Sequence, residues 1–428
     1  PASAAEGIAG VFTGSGYDTR IIGKAHLSTH ETFEPTFQPE CYISVADYPE
    51  DWAGPYMGFD TVDLMLRPHH HCGWKDRPYT LQYENFLDWD GQGGTRWARA
   101  KDPVPPLTHH KQVWRSALED EWQSTSWIGD QTMEMLQENR DAPLMAWVSF
   151  PDPHPPFIAS DPWSRLYDPA DVDLPPHREL DLDQRPWWHR AFLESPTRRN
   201  QKRDHASDQP FWGWEGALED RDLRDVTAVY YGMIAAIDYQ VGRFLTYLEA
   251  VGRLDNTIVI FTSDHGEWLG DHGLLLKGPM LYDGLLRVPM VMAGPGVAQG
   301  RFDAPVSTLD LRSTLAELTG LTASADDGAS LTDVMQGATR DVAHNEWEVD
   351  PVRSGVDLDL RTVRSASHRL SIDLKSGAGE LYDLTADPHE MSNLWDDARS
   401  AGVRDRLTAT IAVTRPGMIP AAPRVGWH

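Results

Sequence analysis

The chain has 428 residues, 40% of them apolar and 17 of them tryptophan, enough to bury a large core. Its formal charge of −27 opposes general affinity for nucleic acid or anionic membrane, so an anionic ligand has to be met by a local group of cations. No apolar run approaches the roughly eighteen residues of a membrane span, and residues 1–15 lack the basic start and apolar centre of a signal peptide. Cys41 and Cys72 allow at most one bridge and no disulfide framework; both are expected to be buried structural residues. The expectation is a soluble globular protein, cytoplasmic or periplasmic, with oligomeric state left open.

In chain order, Ala4–Phe12 reads as a short helix closed by Gly14 and Gly16, and Tyr17–Ile22 runs toward a strand. Ile128–Arg140 repeats apolar residues at helical spacing, and Leu144–Phe150 is an apolar strand broken by Pro151, Pro153 and Pro155. The stretch 161–215 is dense in Pro, Asp, Arg and Trp with weak periodicity, which predicts a long ordered excursion. The clearest helix spans Asp220–Ala250, with Val226, Tyr230, Ile234, Ile237, Val241, Phe244 and Leu248 on one face. Thr257–Phe261 and Val288–Ala293 are short apolar strands, and Thr308–Leu318 is a further helix. Strands alternating with helices predict an α/β fold with a mostly parallel central sheet covered by helices on both faces. Past Ala343 the pattern changes to strands at Leu360–Arg364, His368–Leu374 and Glu380–Leu384, then a helix near Ala401–Ala412. A smaller α+β subdomain is therefore expected over 343–428, after a main domain over 1–342.

Thr262-Ser-Asp-His-Gly-Glu267 lies where an apolar strand ends, and open α/β sheets bind ligands at the carboxyl ends of their strands. The carboxylate of Asp264 beside the imidazole of His265 suits a divalent cation; the plain alternative is a turn that caps the strand. Gly270-Asp-His-Gly273, Lys277-Gly278 and Arg287-Val-Pro289 follow at short intervals, combining charges with glycines that let backbone approach a ligand. Upstream, Gly16-Tyr-Asp-Thr19 precedes Gly23-Lys-Ala-His-Leu27, where Lys24 and His26 would face one side of an extended strand. Phe150-Pro-Asp-Pro-His-Pro-Pro-Phe157 carries a third candidate, His154.

This ordered series resembles the sulfatase family of the alkaline-phosphatase superfamily, and the resemblance extends over Gly16–Leu394. It implies that Asp264 and His265 are metal ligands and that Lys277 binds the substrate's sulfate. Lys24 would stabilise charge on sulfate and nucleophile, His26 would hold the attacking group, and His154 would protonate the leaving oxygen. The implied cofactor is a divalent metal, Ca2+ foremost, with Mn2+ or Mg2+ allowed by the imidazole ligand. The implied substrate is a small-molecule or carbohydrate sulfate ester. Glu380-Leu-Tyr-Asp-Leu384, Asp387-Pro388 and Asn393-Leu394 are similar to the family's closing subdomain and are expected to be structural.

The sequence departs from the family in one respect. Sulfatases carry two acidic metal ligands and a Cys-x-Pro-x-Arg or Ser-x-Pro-x-Arg motif, the source of a formylglycine nucleophile, before the Gly-Tyr-x-Thr element. Only fifteen residues precede Gly16, and they contain neither aspartate nor cysteine. A truncated catalytic protein is the expectation, because Lys24, His26, His154, Asp264, His265 and Lys277 are all retained. The competing reading is a shortened paralogue that binds anions or metal without hydrolysis. A phosphonate monoester or phosphodiester hydrolase is the other enzyme reading; those relatives tend to replace the lysine and histidine present here as Lys24 and His26, which favours sulfate esters. One of His69, His70 and His71, near Trp74, could line a pocket, and a metal role for them carries less weight. Trp187 and Trp188 are expected to be core or interface aromatics.

Overall fold

The structure is a computed structural model that describes residues 7–28, 32, 34–66, 81–110, 112–195, 219–323, 328–349 and 351–413. His69, His70, His71, Cys72 and Trp74 lie outside the described residues, as does the 196–215 part of the expected excursion.

Strand β1 (Asp18–Gly23) is the middle of a parallel sheet, with β2 (Thr61–Leu64) on one edge and β4 (Leu144–Ser149) on the other. The register sets Arg20 opposite Thr61 and Ile21 opposite Trp147. The adjacent Ile21 and Ile22 point to opposite faces, and both are buried because both faces are covered. Ile21 packs with Ala9, Val62 and Leu64, whereas Ile22 packs with Trp127, Ile128 and Leu136. Helix α1 (Ile8–Thr13) supplies Ala9 and helix α2 (Ser124–Gln137) supplies the second group. This is the expected parallel sheet with helices on both faces.

Gly23 ends β1 with φ +102°, and a Cβ there would overlap the Ser149 carbonyl of the neighbouring strand. Only glycine satisfies both the dihedral and the close approach. Gly23→Ala is therefore expected to cost at least about 1–3 kcal/mol, read as a lowered urea midpoint.

A short parallel pair joins β3 (Val113–Arg115) to β5 (Phe157–Ala159), the strand that follows the proline-rich loop. The described part of the excursion includes helix α3 (Trp187–Glu194), whose Trp188 is fully buried while Trp187 is 43% exposed. Helix α4 occupies Asp220–Ala250 as expected, and packs Val226, Val229 and Met233 against Phe157. Glu219 and Asp222 form reciprocal bonds at its start, satisfying two otherwise orphaned amides.

Strands β6 (Val259–Thr262) and β7 (Met290–Ala293) pair antiparallel, with Ile260 opposite Met292, where a parallel relation was expected. The intervening residues form loops and single turns, not the crossover helix that a parallel return requires. Helix α5 (Asp310–Leu318) follows them. The rest of the chain is an antiparallel sheet of β8 (Val342–Val349), β9 (Leu358–Ser365), β10 (His368–Asp373) and β11 (Gly379–Asp383), in spatial order β11-β10-β9-β8. Leu407 and Ile411 of α6 (Ala401–Val413) cover one face over Val363, Leu370 and Leu381. Leu358, Leu360 and Tyr382 join Trp188, Trp268, Met280 and Tyr282 in a shared core on the other. Cys41 is buried with a free thiol, as expected for a structural residue. Among the described residues no helix is long and apolar enough to cross a membrane.

Candidate active site

Three of the chain segments that carry the candidate residues leave their strands at the carboxyl end. Lys24 follows β1, His154 lies in the loop after β4, and Asp264 and His265 follow β6. The Lys24 amide still donates to the Ser149 carbonyl at 3.1 Å, which extends the β1–β4 ladder by one bond and fixes where the side chain departs.

His265 is set by short-range contacts. Its backbone amide donates to Asp264 Oδ1 at 2.8 Å, and its carbonyl accepts from Ser263 Oγ at 2.8 Å. Nδ1 lies 2.8 Å from the Gly266 carbonyl, which requires the proton on that nitrogen and leaves the Nε2 lone pair open to the site. Nε2 is 3.5 Å from Asp264 Oδ2 and 2.6 Å from the Lys277 ammonium, which donates to it. Burial first, then the nearby charge of Lys277, lowers the His265 pKa and keeps the imidazole neutral.

Lys24 belongs to the same group. Burial, then repulsion from Lys277, brings its ammonium down to about 8, partly offset by attraction to Asp264 and Glu40. Two lysines, one aspartate and one neutral histidine are thus gathered within electrostatic reach at the ends of β1 and β6. Burial alone would raise the Asp264 carboxyl, but His265, its amide, Lys277 and Lys24 outweigh it and the net shift is downward. The carboxylate nevertheless opens to solvent, 82% exposed.

His26 and His154 are held by local contacts. His154 Nδ1 lies 2.6 Å from the Pro155 carbonyl, and its amide donates to Pro151. The strand alternation expected to align His26 with Lys24 does not hold. β1 ends at Gly23, and His26 takes a left-handed backbone with φ +52°.

The glycines of the Asp-His-Gly series also differ from expectation, because the backbone they admit is the protein's own. Gly266 lies against the Gly284 carbonyl, and Gly273 against Arg178 and Leu180. His272 is buried, stacked on Tyr282 at a centroid separation of 3.7 Å, and near Arg185. Burial first, then Arg185, lowers its pKa from 6.5 to about 2. The unfolded chain therefore takes up a proton at His272 that the folded chain refuses. Its contribution to stability is complete above pH 6.5 and falls as the pH drops toward 2. Thermal midpoints are expected to fall between pH 6.5 and 5, with a shallower slope in His272→Phe, whose ring keeps the stack without titrating.

Sequence reasoning missed Glu267 and Glu40. Glu267 follows His265 by two residues; burial pushes its carboxyl up to about 7, and it accepts the amides of Leu269 and Leu276, which shape the turn before Lys277. Glu40 binds the turn that contains His26. Glu267 closes the Thr262–Glu267 series but was given no role there, and Glu40 lies outside every motif.

The donor set fits part of a divalent cation's shell. A carboxylate oxygen and an imidazole lone pair converge, and the Lys277 ammonium bonds to that lone pair. Among the described residues no group of three or more His, Cys, Asp or Glu side chains could hold a metal.

The fold is that of the alkaline-phosphatase superfamily. The solved phosphonate monoester hydrolase of Agrobacterium radiobacter superimposes with a TM-score of 0.68 at 26% identity, over 95% of this chain and 79% of that one. Residues 1–321 match the sulfatase family and residues 270–416 match the unit described as N-sulphoglucosamine sulphohydrolase, C-terminal. The chain belongs to the sulfatase family. It is similar to the uncharacterized sulfatase YidJ of Escherichia coli K12, 26% identical over 92% of this chain and 68% of that protein. It is also similar to the multifunctional alkaline phosphatase superfamily protein PehA of Trinickia caryophylli, 30% identical over 75% of this chain and 66% of that protein. The chain thus spans about two thirds of the length of these curated relatives.

Proposed function

We propose that the protein hydrolyses small-molecule or carbohydrate sulfate esters, with Lys24 and Lys277 receiving the sulfate. The observation that carries this reading is the direct 2.6 Å contact of Lys277 with His265, beside Asp264, in a chain of the sulfatase family. In a protein of charge −27, two lysines held together despite their repulsion supply the local positive field that an anionic ester needs.

Asp264 and His265 would hold the divalent metal, Ca2+ or, given the imidazole, Mn2+ or Mg2+. A bound metal would supply positive charge that stabilises the transferring group. Lys277 and Lys24 bind sulfate oxygens and stabilise charge as the ester bond breaks. His154, whose Nδ1 donates to the Pro155 carbonyl, would act in its imidazolium form and pass the Nε2 proton to the departing oxygen. His26 orients the attacking group. The family resemblance implies formylglycine as that group. Its Cys-x-Pro-x-Arg or Ser-x-Pro-x-Arg source motif does not occur in this sequence, so attack is assigned to no residue here. The 343–428 segment would act as a closing subdomain, and among its described residues Leu358, Leu360 and Tyr382 pack into the core shared with Trp268 and Tyr282.

Phosphonate ester hydrolysis is the second reading, favoured by the likeness to the Agrobacterium radiobacter enzyme. The test is turnover of paired aryl sulfate and aryl phosphonate esters by the protein expressed from its complete gene. Faster sulfate-ester cleavage supports the first reading; faster phosphonate cleavage replaces it with the second.

A further inference from the structure

We infer that Glu40 is a positioning residue whose buried carboxylate holds the turn that presents Lys24 and His26 to the site. This rests on the site reading above and extends it to a residue outside every motif. The Glu40 side chain takes three successive backbone amides, His26 at 2.5 Å, Leu27 at 2.8 Å and Ser28 at 3.1 Å. Its fourth donor is the Tyr56 hydroxyl at 2.6 Å. Glu40 is 1% exposed although His26 and Leu27 on the other side of these bonds are exposed.

The turn needs such a partner. His26 has φ +52°, a conformation that a non-glycine residue holds only when its surroundings compensate. Three consecutive amides pointing one way form a concave site for a negative charge. In this chain an internal carboxylate fills it, and charge-assisted bonds make that arrangement stronger than a neutral acceptor would. Glu40 is itself anchored beside a compact turn, where Cys41 donates to Gln38 and Val45 to Cys41. Tyr56 stays a protonated donor, because burial and then the Glu40 charge raise its pKa. The bonded amides immediately follow Lys24 and Ala25, so a shift of the turn moves the lysine, and the Glu40 charge is one of those acting on Lys24. A role in stability alone would not require the contacts to fall on this segment.

The test compares Glu40→Gln and Glu40→Asp with Asp310→Asn, in the protein expressed from its complete gene. Asp310 is another buried carboxylate that accepts backbone amides, at Ser307 and Ala329, and pairs with Arg340, remote in sequence from the site. Three quantities are read: deuterium exchange of the 24–28 segment, affinity for inorganic sulfate by calorimetry, and kcat and KM on an aryl sulfate. Glu40→Gln is expected to speed exchange at residues 26–28, weaken sulfate at least tenfold and lower kcat at least tenfold. Glu40→Asp, which keeps the charge on a shorter stem, should fall between. Asp310→Asn should lower stability while leaving kcat, sulfate affinity and 24–28 exchange unchanged. Faster exchange with sulfate affinity and kcat intact would make Glu40 structural only and overturn the inference, as would unchanged exchange. A wild-type protein that binds sulfate through this segment but hydrolyses no sulfate ester would sink the proposed activity, while the dependence of binding on Glu40 would still stand.

Discussion

Replacing Lys277 with alanine is expected to lower kcat/KM on an aryl sulfate by about 10²–10³-fold, the scale found when one preorganised charge-stabilising donor is removed. Lys277 reaches the site from a loop braced by bonds of Trp268 to Leu276 and of Gly270 to Leu274, so its ammonium has a defined direction. Its bond to the His265 Nε2 couples it to the proposed metal position. Arginine at 277 should restore little activity, since a planar fork cannot replace a compact ammonium 2.6 Å from an imidazole nitrogen. Steady-state kinetics of Lys277→Ala and Lys277→Arg check this, with thermal midpoints as a control. Equal losses of activity and of folded protein would point to a structural lysine.

Arg369→Met is expected to destabilise the fold by about 3–5 kcal/mol, the cost of removing one partner from a buried charge group. Arg369 is fully buried in β10, 2.9 Å from Glu380, and its Nε bonds to Glu390. Burial would raise the Glu380 carboxyl, yet Arg369 and then His189 hold it well below the ordinary range. Methionine would fill much of the volume and strand two carboxylates with most of their compensation gone. The damage would reach the site, because Glu390 also accepts the Asp283 amide at 2.7 Å, and Arg364 grips the Asp283 carboxylate at 2.9 and 3.0 Å. Asp283 closes the loop that bears Lys277. Urea unfolding measures the effect, and Arg399→Ala provides the contrast. Arg399 is 90% exposed on Asp397, where a solvated surface pair contributes little to stability.

The sequence disclosed elements whose pattern is local. The helix over Asp220–Ala250 was legible to the residue because its apolar period is long, and Glu219 with Asp222 closes its start. Asp264, His265 and Lys277 were legible because they lie within fourteen residues of one another on one loop, and the structure brings them into contact. The antiparallel sense of β6 and β7 was not, since apolar strands carry no mark of direction and the connection decides it. The geometry of His26 was hidden for a similar reason. Alternation assumes an extended backbone, and here a carboxylate fourteen residues on draws three amides into a left-handed turn. Gly266 and Gly273 were recognisable as close-approach positions, but nothing local distinguishes a ligand from the chain's own Gly284 and Leu180.

The central claim is that Lys277, Lys24, Asp264 and His265 form a sulfate-ester site. The most direct measurement is release of inorganic sulfate from 4-nitrophenyl sulfate by the protein expressed from its complete gene, beside its Lys277→Ala variant and with 4-nitrophenyl phenylphosphonate as the competing substrate. Metal-dependent sulfate release that exceeds phosphonate cleavage and falls at least a hundredfold in the variant is the predicted result. Sulfate release unaffected by the loss of Lys277, or no sulfate release from a folded, metal-loaded protein, would contradict it.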